Sequence, residues 1–492
     1  MCCSVKNIHL HENVPDLSKE ERARIWIHEH PTTIKILKIA ALLIGIGVLA
    51  SLPFSAPILG VAFTVGAAIT GALLVLSASV ALATLDILVP PHHDMKNHVY
   101  KPGQCEGGKL FYDGDVPILS LDSDDPFKAG KAHGYLCGDG INRLMKRLDF
   151  AFHTLLSQPR AIELPNTLAA IRKQIPLPFL QEIEGVVEGY NKWAQEQSWW
   201  QSPKKITSDE LLLVHLMPDS LHFDLEGFEQ HKKRINDLVI SKAPNQRAVA
   251  CSAIVDRDAE GRFVFARNMD WPSFGLAGAY SLVIQRKHTN SKLNNTMEIG
   301  VPGFVGTLTG MNSQGLAIAM NVCIDNRSHE MRGMPAAFYN RTCLEQCRNV
   351  NEIETYIRDH SPLGPYHLTA VDREKAKSIH FYQSQYGTHV IRPWKENEPL
   401  TTLNFNYTPE PLLDIHDSQK RQQILNSFFQ HRQDKPLEEA LSLPYVNNWI
   451  TTHRVVMEPN KQRFRVAFDN AFAGKAPLQD VSTENLFVQN TP

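Results

Sequence analysis

From Ile39 to Leu85 the chain runs for 47 residues without a charged side chain. A bilayer span takes about 20 apolar residues, so this run is too long for one span and the right length for two. Pro53, Ser55 and Pro57 interrupt it near the turn a hairpin would need. The expected structure is therefore a membrane hairpin over 32–89, with helices at Thr32–Leu52 and Pro57–Ala81. One long tilted span plus a buried segment is a second reading, and an apolar helix pair in a soluble core is a third. A secretion signal does not fit, because some 38 mostly polar residues come first and no short apolar core ends in a cleavage site.

The flanks orient the hairpin. Lys19, Arg22, Arg24, Lys35 and Lys38 precede the run, and Asp86, His92, His93, Asp94 and Lys96 follow it. Basic residues favour the cytoplasmic side, so both the polar tail 1–31 and everything after Pro90 are expected there. Cys2 and Cys3 read equally as acylation sites or as unmodified thiols. His92–His93 lacks companion ligands and reads as solvated linker.

The remaining 400 or so residues suit a globular fold, since 43% of the chain is hydrophobic and 21% charged. A formal net charge of −2 supplies no basic face for nucleic acid. Eight scattered cysteines do not form a disulfide framework. Pro90–Pro91 and the stretch Lys101–Lys109 suggest a linker over 90–114. A helical region spans 115–250; within it Ile183, Val186, Val187 and Tyr190 recur at i, i+3, i+4, i+7 and mark one helix face. Gly130/Gly134 and Gly185/Gly189 stand four apart, as close helix contacts or simple turns would have them.

After Arg247 the texture changes to short strands, over a region that spans 251–475. Ser252–Val255 and the alternation around Phe263 and Phe265 flank a polar turn from Asp256 to Gly261, which is a hairpin signature. A second hairpin joins Thr307–Met311 to Leu316–Val322, and helices are expected over Pro335–His360. His367–Val371, Ser378–Tyr382, Thr388–Arg392 and Thr401–Phe405 are spaced like a meander. A helix at Ser418–Phe429 and a hairpin joining Thr452–Met457 to Arg463–Phe468 complete the pattern. The polar tail 476–492 is expected to fray. Strands and helices in separate runs point to an α+β sandwich and not to a parallel βαβ fold.

One cysteine carries chemistry in this pattern. Cys251 opens the first strand of its hairpin, and Arg267 and Asp270 close the second, which brings a guanidinium and a carboxylate back beside the thiol. If the bond between Ala250 and Cys251 is cut, Cys251 gains an α-amine with a pKa near 7.7–8.0 that can take its own thiol proton. Asp270 can orient that amine, and Arg267 can favour the thiolate or bind substrate. The bland alternative is a surface ion pair beside a buried thiol. An oxyanion needs donors: Asn404 is the candidate, with Asn406 as its near neighbour. Asn321 and Trp271 are candidates for the substrate pocket, and Arg421 for a substrate carboxylate or for support of the oxyanion loop. His133 and His453 are possible bases but read better as structural. Cys343 and Cys347 lack the second pair that a zinc motif needs. No metal and no cofactor is expected.

The stretch Cys251–Trp271 resembles the start of the catalytic chain of N-terminal-nucleophile (Ntn) hydrolases, in the group of acid ceramidase, N-acylethanolamine acid amidase and penicillin acyltransferase-like autoproteolytic cysteine peptidases. Asp125–Gly134, Glu182–Gly189, Pro302–Leu316 and Ser418–Arg421 resemble its other motifs in the same order. The resemblance covers roughly 115–470. It implies a four-layer αββα sandwich of two antiparallel sheets, self-cleavage before Cys251 and reaction at an amide carbonyl. By position Cys251 matches the nucleophile, Arg267 and Asp270 its partners, Asn404 the oxyanion asparagine and Arg421 the later arginine. Val322 stands where the ceramidase branch has an acidic residue. The expected activity is hydrolysis of an N-acyl amide, on a small molecule or a lipid at the membrane, by two cleaved chains that stay associated. Acyl transfer through a cysteinyl thioester and a membrane adaptor without catalysis are the alternatives.

Overall fold

In β4 (Ala250–Arg257) and β5 (Phe263–Asp270), every second side chain enters one apolar core: Ala253 and Val255 from β4, Phe263 and Phe265 from β5. The alternate residues Ile254, Val264 and Ala266 enter a different core. This is the period-2 pattern of a sheet covered on both faces. The computed structural model that shows it describes residues 95–150, 165–197, 203–219, 250–271, 278, 280–289, 292–323, 332–384, 387–404, 418–432, 434–447, 451–469 and 473–487. All belong to the second of two compact units, His93–Pro492. The tail 1–31 and the hairpin expected over 32–89 lie outside the described residues. Among the described residues no helix is long and apolar enough to cross a membrane.

Among the described residues three strands come first: β1 (Gly103–Cys105), β2 (Gly108–Asp113) and β3 (Val116–Asp122). Five helices follow: α1 (Pro126–Leu136), α2 (Gly138–Phe150), α3 (Pro165–Arg172), α4 (Leu177–Gln195) and α5 (Ser208–His215). After β4 and β5 come β6 (Leu282–Lys287), β7 (Thr296–Gly300), β8 (Thr309–Asn312) and β9 (Ala317–Val322). Helices α6 (Ala336–Gln346) and α7 (Val350–Asp359) lead to β10 (Tyr366–Val371), β11 (Ala376–Ser384), β12 (Gly387–Pro393) and β13 (Leu400–Thr402). The chain ends with α8 (Ser418–Gln430), β14 (Thr451–Glu458), β15 (Arg463–Phe468), β16 (Gln479–Val481) and the short α9 (Glu484–Phe487).

The strands form two sheets, ordered β1-β2-β3-β6-β7-β8-β9-β10-β11-β12 and β13-β4-β5-β14-β15-β16. Neighbours pair antiparallel except β3 and β6, which run parallel. Between the sheets lies a core of Ile118, Val283, Met311, Phe265, Val455 and their neighbours. Helices α1, α2, α4 and α5 cover one portion of the outer face of the larger sheet, and α6 and α7 cover another. Helix α8 and the turn Leu437–Ser442 cover the smaller sheet. The result is four layers, helix–sheet–sheet–helix, as the family resemblance implies.

Local chemistry sets the helix ends. Asp125 caps α1, its carboxylate accepting from the backbone N–H groups of Phe127 and Lys128, with Pro126 in the first turn. Thr207 and Glu210 form a capping box at α5. The four spaced glycines bring α1 and α4 backbone to backbone. A Cβ on Gly130 would sit 2.0 Å from the Glu182 carbonyl oxygen, and one on Gly189 would sit 2.1 Å from that of Lys131. Glu182 fastens the pair to the sheet, accepting from Arg286 of β6 at 2.6 Å and Arg341 of α6 at 2.7 Å. Burial opposes its charge, but the two guanidiniums outweigh that and hold its carboxyl below the ordinary range.

Three expectations need correcting. The meander has three strands, because β13 leaves the larger sheet and pairs with β4 in the smaller one, Thr401 opposite Ile254. The linker 90–114 contains β1 and β2, which extend the larger sheet through a Leu110–Leu119 pairing with β3. The tail 476–492 does not simply fray: β16 adds an edge strand to β15, and Leu486 and Phe487 are buried between the sheets.

Candidate active site

The β4–β5 register places Ala250 opposite Asp270, Cys251 opposite Met269 and Ala253 opposite Arg267. Cys251 shares its strand face with Ala253 and Val255, so its side chain enters the space between the sheets, where it is only 2% exposed. Arg267, on the same face of β5, spans to the other sheet. Its Nη2 donates to the Cys251 sulfur at 3.6 Å and to the Met320 carbonyl of β9. Its Nη1 donates to the Thr309 hydroxyl of β8 and lies 3.2 Å from Nε2 of His453.

Every polar atom of Cys251 is held. Its backbone N–H donates to Asn404 Oδ1 at 2.9 Å, and its carbonyl accepts from Arg421 Nη1 at 2.6 Å. The backbone amide of Asp270 donates to its sulfur. Burial pushes the thiol pKa up; Arg267, the Asp270 amide and Arg421 pull against it, while the Asp270 carboxylate adds to the rise. In the uncut chain the sulfur is therefore a protonated thiol at neutral pH. Burial and the Arg267 charge hold the His453 imidazole neutral.

Arg421 organises the far side. Fully buried in the first turn of α8, it donates to Ser252 Oγ at 3.0 Å, Asn404 Oδ1 at 2.8 Å and Ser418 Oγ at 2.9 Å, besides the Cys251 carbonyl. Arginine can only donate, so this contact fixes the Asn404 side chain with its oxygen toward Arg421 and Cys251. The Asn404 amide nitrogen then donates across the sandwich to the Val322 carbonyl.

These contacts revise the roles expected from the sequence. The Asn404 amide is not free to meet an oxyanion in the uncut chain: Val322 takes that donor, and the side-chain oxygen holds the Cys251 nitrogen. Asp270 does not sit at that nitrogen. It accepts from the Thr451 hydroxyl at 2.6 Å and reaches the thiol through its backbone. Arg421 is enclosed and faces the peptide chain, not a substrate carboxylate. Asn321 is buried, its amide donating to the Thr402 carbonyl at 2.7 Å, so it braces the strand that leads to Asn404 and does not line an open pocket. Trp271, half-buried just past β5, packs against the core beneath α6 and α7. The surface-ion-pair reading of Arg267 and Asp270 is excluded, because both are buried.

Residues missed in the sequence are Thr309, Thr451 and Ser252, hydroxyls that orient Arg267, Asp270 and Arg421. Thr309 lies in the Pro302–Leu316 hairpin motif, a signal that did not single out its hydroxyl. His133 and His215 are structural: each Nε2 accepts a backbone N–H, from Gly303 at 2.9 Å and Val305 at 2.7 Å. Cys343 and Cys347 are free, buried thiols.

Residues 257–442 match the family model described as acyl-coenzyme A:6-aminopenicillanic acid acyl-transferase. The chain carries a penicillin acyltransferase-like domain. The matched span of this acyltransferase-like domain includes Arg267, Asp270, Asn404 and Arg421 and begins six residues after Cys251. Among solved structures, a Caenorhabditis elegans N-acylethanolamine-hydrolyzing acid amidase ortholog is 17% identical with a TM-score of 0.36, covering 47% of this chain and 100% of its own. The C2A mutant of conjugated bile acid hydrolase from Clostridium perfringens is 13% identical with a TM-score of 0.34, covering 47% and 96%. Both likenesses are too slight to bear on the fold or the chemistry. No curated protein matches the chain.

Proposed function

We propose that the protein is an autoproteolytic N-terminal-cysteine amidase acting on an N-acylated small molecule or lipid. The observation that carries this reading is that the nitrogen, carbonyl and sulfur of Cys251 are each held by a separate buried group, from Asn404, Arg421 and Arg267. A structural cysteine does not need its backbone and sulfur fixed in this way. In maturation the Cys251 sulfur attacks the Ala250 carbonyl carbon. The C–N bond breaks, the Cys251 nitrogen takes up a proton, and water then cleaves the Ala250 thioester to a carboxylate and a free thiol. The new α-amine stays on Asn404 Oδ1 and serves as base for its own sulfur.

Intact-mass measurement and N-terminal sequencing test this directly. Purified protein is expected as two chains divided before Cys251, hydrolysing N-acyl amides. Cys251→Ala is expected as one chain with no turnover. Turnover by protein whose 250–251 bond is intact would overturn the reading. The acyltransferase family match supports a second outcome, transfer of the acyl group to an amine, which shows as an acceptor-dependent product in the same assay.

The uncharged run Ile39–Leu85 and its basic flank further support a membrane-held enzyme with its catalytic region on the cytoplasmic side. Full-length protein is then expected in the membrane pellet after alkaline carbonate extraction. Release into the supernatant would remove membrane attachment from the proposal.

A further inference from the structure

We propose that Cys323, His367 and His380 form a binding site for one zinc-class divalent ion. The three are far apart in sequence, and strand pairing brings them together. In the larger sheet Asn321 of β9 stands opposite His367 of β10, and His367 stands opposite His380 of β11. Cys323 lies two residues past Asn321, just beyond the end of β9. All three side chains are buried. The two imidazole centroids are 4.4 Å apart, and one ligand atom from each of the three residues lies within 4.8 Å of the others.

The donor set and its geometry select the ion. A thiolate with two imidazoles suits zinc and its tetrahedral neighbours, whereas calcium and magnesium require oxygen ligands. Zinc bonds of ~2.3 Å to sulfur and ~2.0–2.1 Å to nitrogen, at a tetrahedral angle, set sulfur and nitrogen about 3.6 Å apart. Cys323 Sγ and His380 Nε2 already stand 3.5 Å apart. That spacing alone would also suit a Cys–His hydrogen bond; the third donor, His367, is what makes a metal pocket. Closing the widest separation to ligand spacing takes about 1 Å, within reach of an imidazole torsion. Binding forms one metal–sulfur and two metal–nitrogen bonds and releases the Cys323 thiol proton to solvent. A water completes the fourth position.

The site is coupled to the catalytic residues through the backbone. Cys323 follows Val322, whose carbonyl holds the Asn404 amide, and His367 faces Asn321, which braces Thr402. An ion here ties the end of β9 to β10 and β11, one residue from the Val322 carbonyl that holds the Asn404 amide.

The test uses full-length protein stripped with a chelator and titrated with Co²⁺ alone, then with Zn²⁺. One equivalent of cobalt is expected to give a thiolate-to-cobalt charge-transfer band in the near ultraviolet and tetrahedral d–d bands, displaced by zinc. Zinc is expected to raise the thermal midpoint. Cys323→Ser is expected to lose the charge-transfer band, His367→Gln and His380→Gln each to weaken cobalt binding about tenfold or more, and Cys251→Ala to keep the band. If Cys323→Ser does not fold, the two histidine variants decide. Absence of a cobalt spectrum, unchanged cobalt affinity in either histidine variant, or a band lost with Cys251 and kept without Cys323 would overturn the proposal. None of these readouts depends on enzymatic activity.

Discussion

Arg421 shows how a single buried side chain can tie distant segments to Cys251 without touching its sulfur. Its four acceptors come from three places in the sequence: Cys251 and Ser252, Asn404, and Ser418. Arg421→Met would take one donor from each of these four buried acceptors, with Asn404 Oδ1 keeping only the Cys251 N–H, and a buried group left unsatisfied costs roughly 1–3 kcal/mol. The expected loss of stability is about 3 kcal/mol or more by urea unfolding, with slower self-cleavage in a time course. A variant that cleaves at the normal rate would show that the Cys251 carbonyl needs no clamp. Cys251, Arg267 and Asp270 were legible in the sequence because one tight hairpin brings them together. Arg421 and Asn404 were legible only as family positions, and their contacts were not, since these depend on how two sheets meet. Thr309 and Thr451 left no signal of their own: threonine is at home in any strand.

At the level of elements, the α1–α4 pair shows what glycine spacing can specify. A Cβ on Gly134 would lie 2.0 Å from the Val186 carbonyl oxygen. Gly134→Ala must push apart a helix pair that also carries Asp125 and Glu182, and is expected to lower stability by about 3 kcal/mol or more. Gly261→Ala is the control: φ is +76° and nothing lies within 4 Å of its Cβ, so only the backbone penalty of roughly 1–2 kcal/mol applies. Equal losses in the two variants would mean the helices are not in backbone contact. The periodicity in α4 and the hairpins were readable because each buries one face over several residues. The change of sheet at β13 was not, because three residues have too little pattern to say which sheet they join. The same brevity hid β1 and β16 in stretches that read as linker and tail.

Across the whole molecule, buried imidazoles set the response to acid. Burial lowers His133 to about 3 and His215 to about 4, and it holds His453 well below the usual histidine value. Protonating His133 or His215 would also break the bond in which its Nε2 accepts a backbone N–H. These groups stay neutral in the folded state while the unfolded chain takes up protons below about pH 6.5. Their contribution is thus complete above that pH and is lost as pH falls toward the folded values. Asp219 acts in the opposite sense: burial raises it to about 7, so the folded state keeps a proton that the unfolded chain releases. These four groups leave a net loss on the order of 3 kcal/mol between pH 6.5 and 5, and His389, lowered by partial burial, acts in the same sense as the three imidazoles. Urea midpoints measured across that range are expected to fall with acidification, and a flat profile would mean that these imidazoles titrate normally in the native protein.

The parallel junction of β3 with β6 acquires another meaning if the chain is cut before Cys251 as proposed. The scission leaves β1–β3 and α1–α5 on one polypeptide and every later element on the other, yet the larger sheet runs unbroken from one to the other across Leu119 and Ile284. Assembly of the precursor is a first-order event at any dilution, because its two portions share a backbone. Reassembly of the mature protein after full denaturation requires a collision between two separate chains, so its rate depends on concentration. Such a maturation would act as a ratchet: a protein folded once as a single thread would keep its shape afterwards through a seam it could not readily close again.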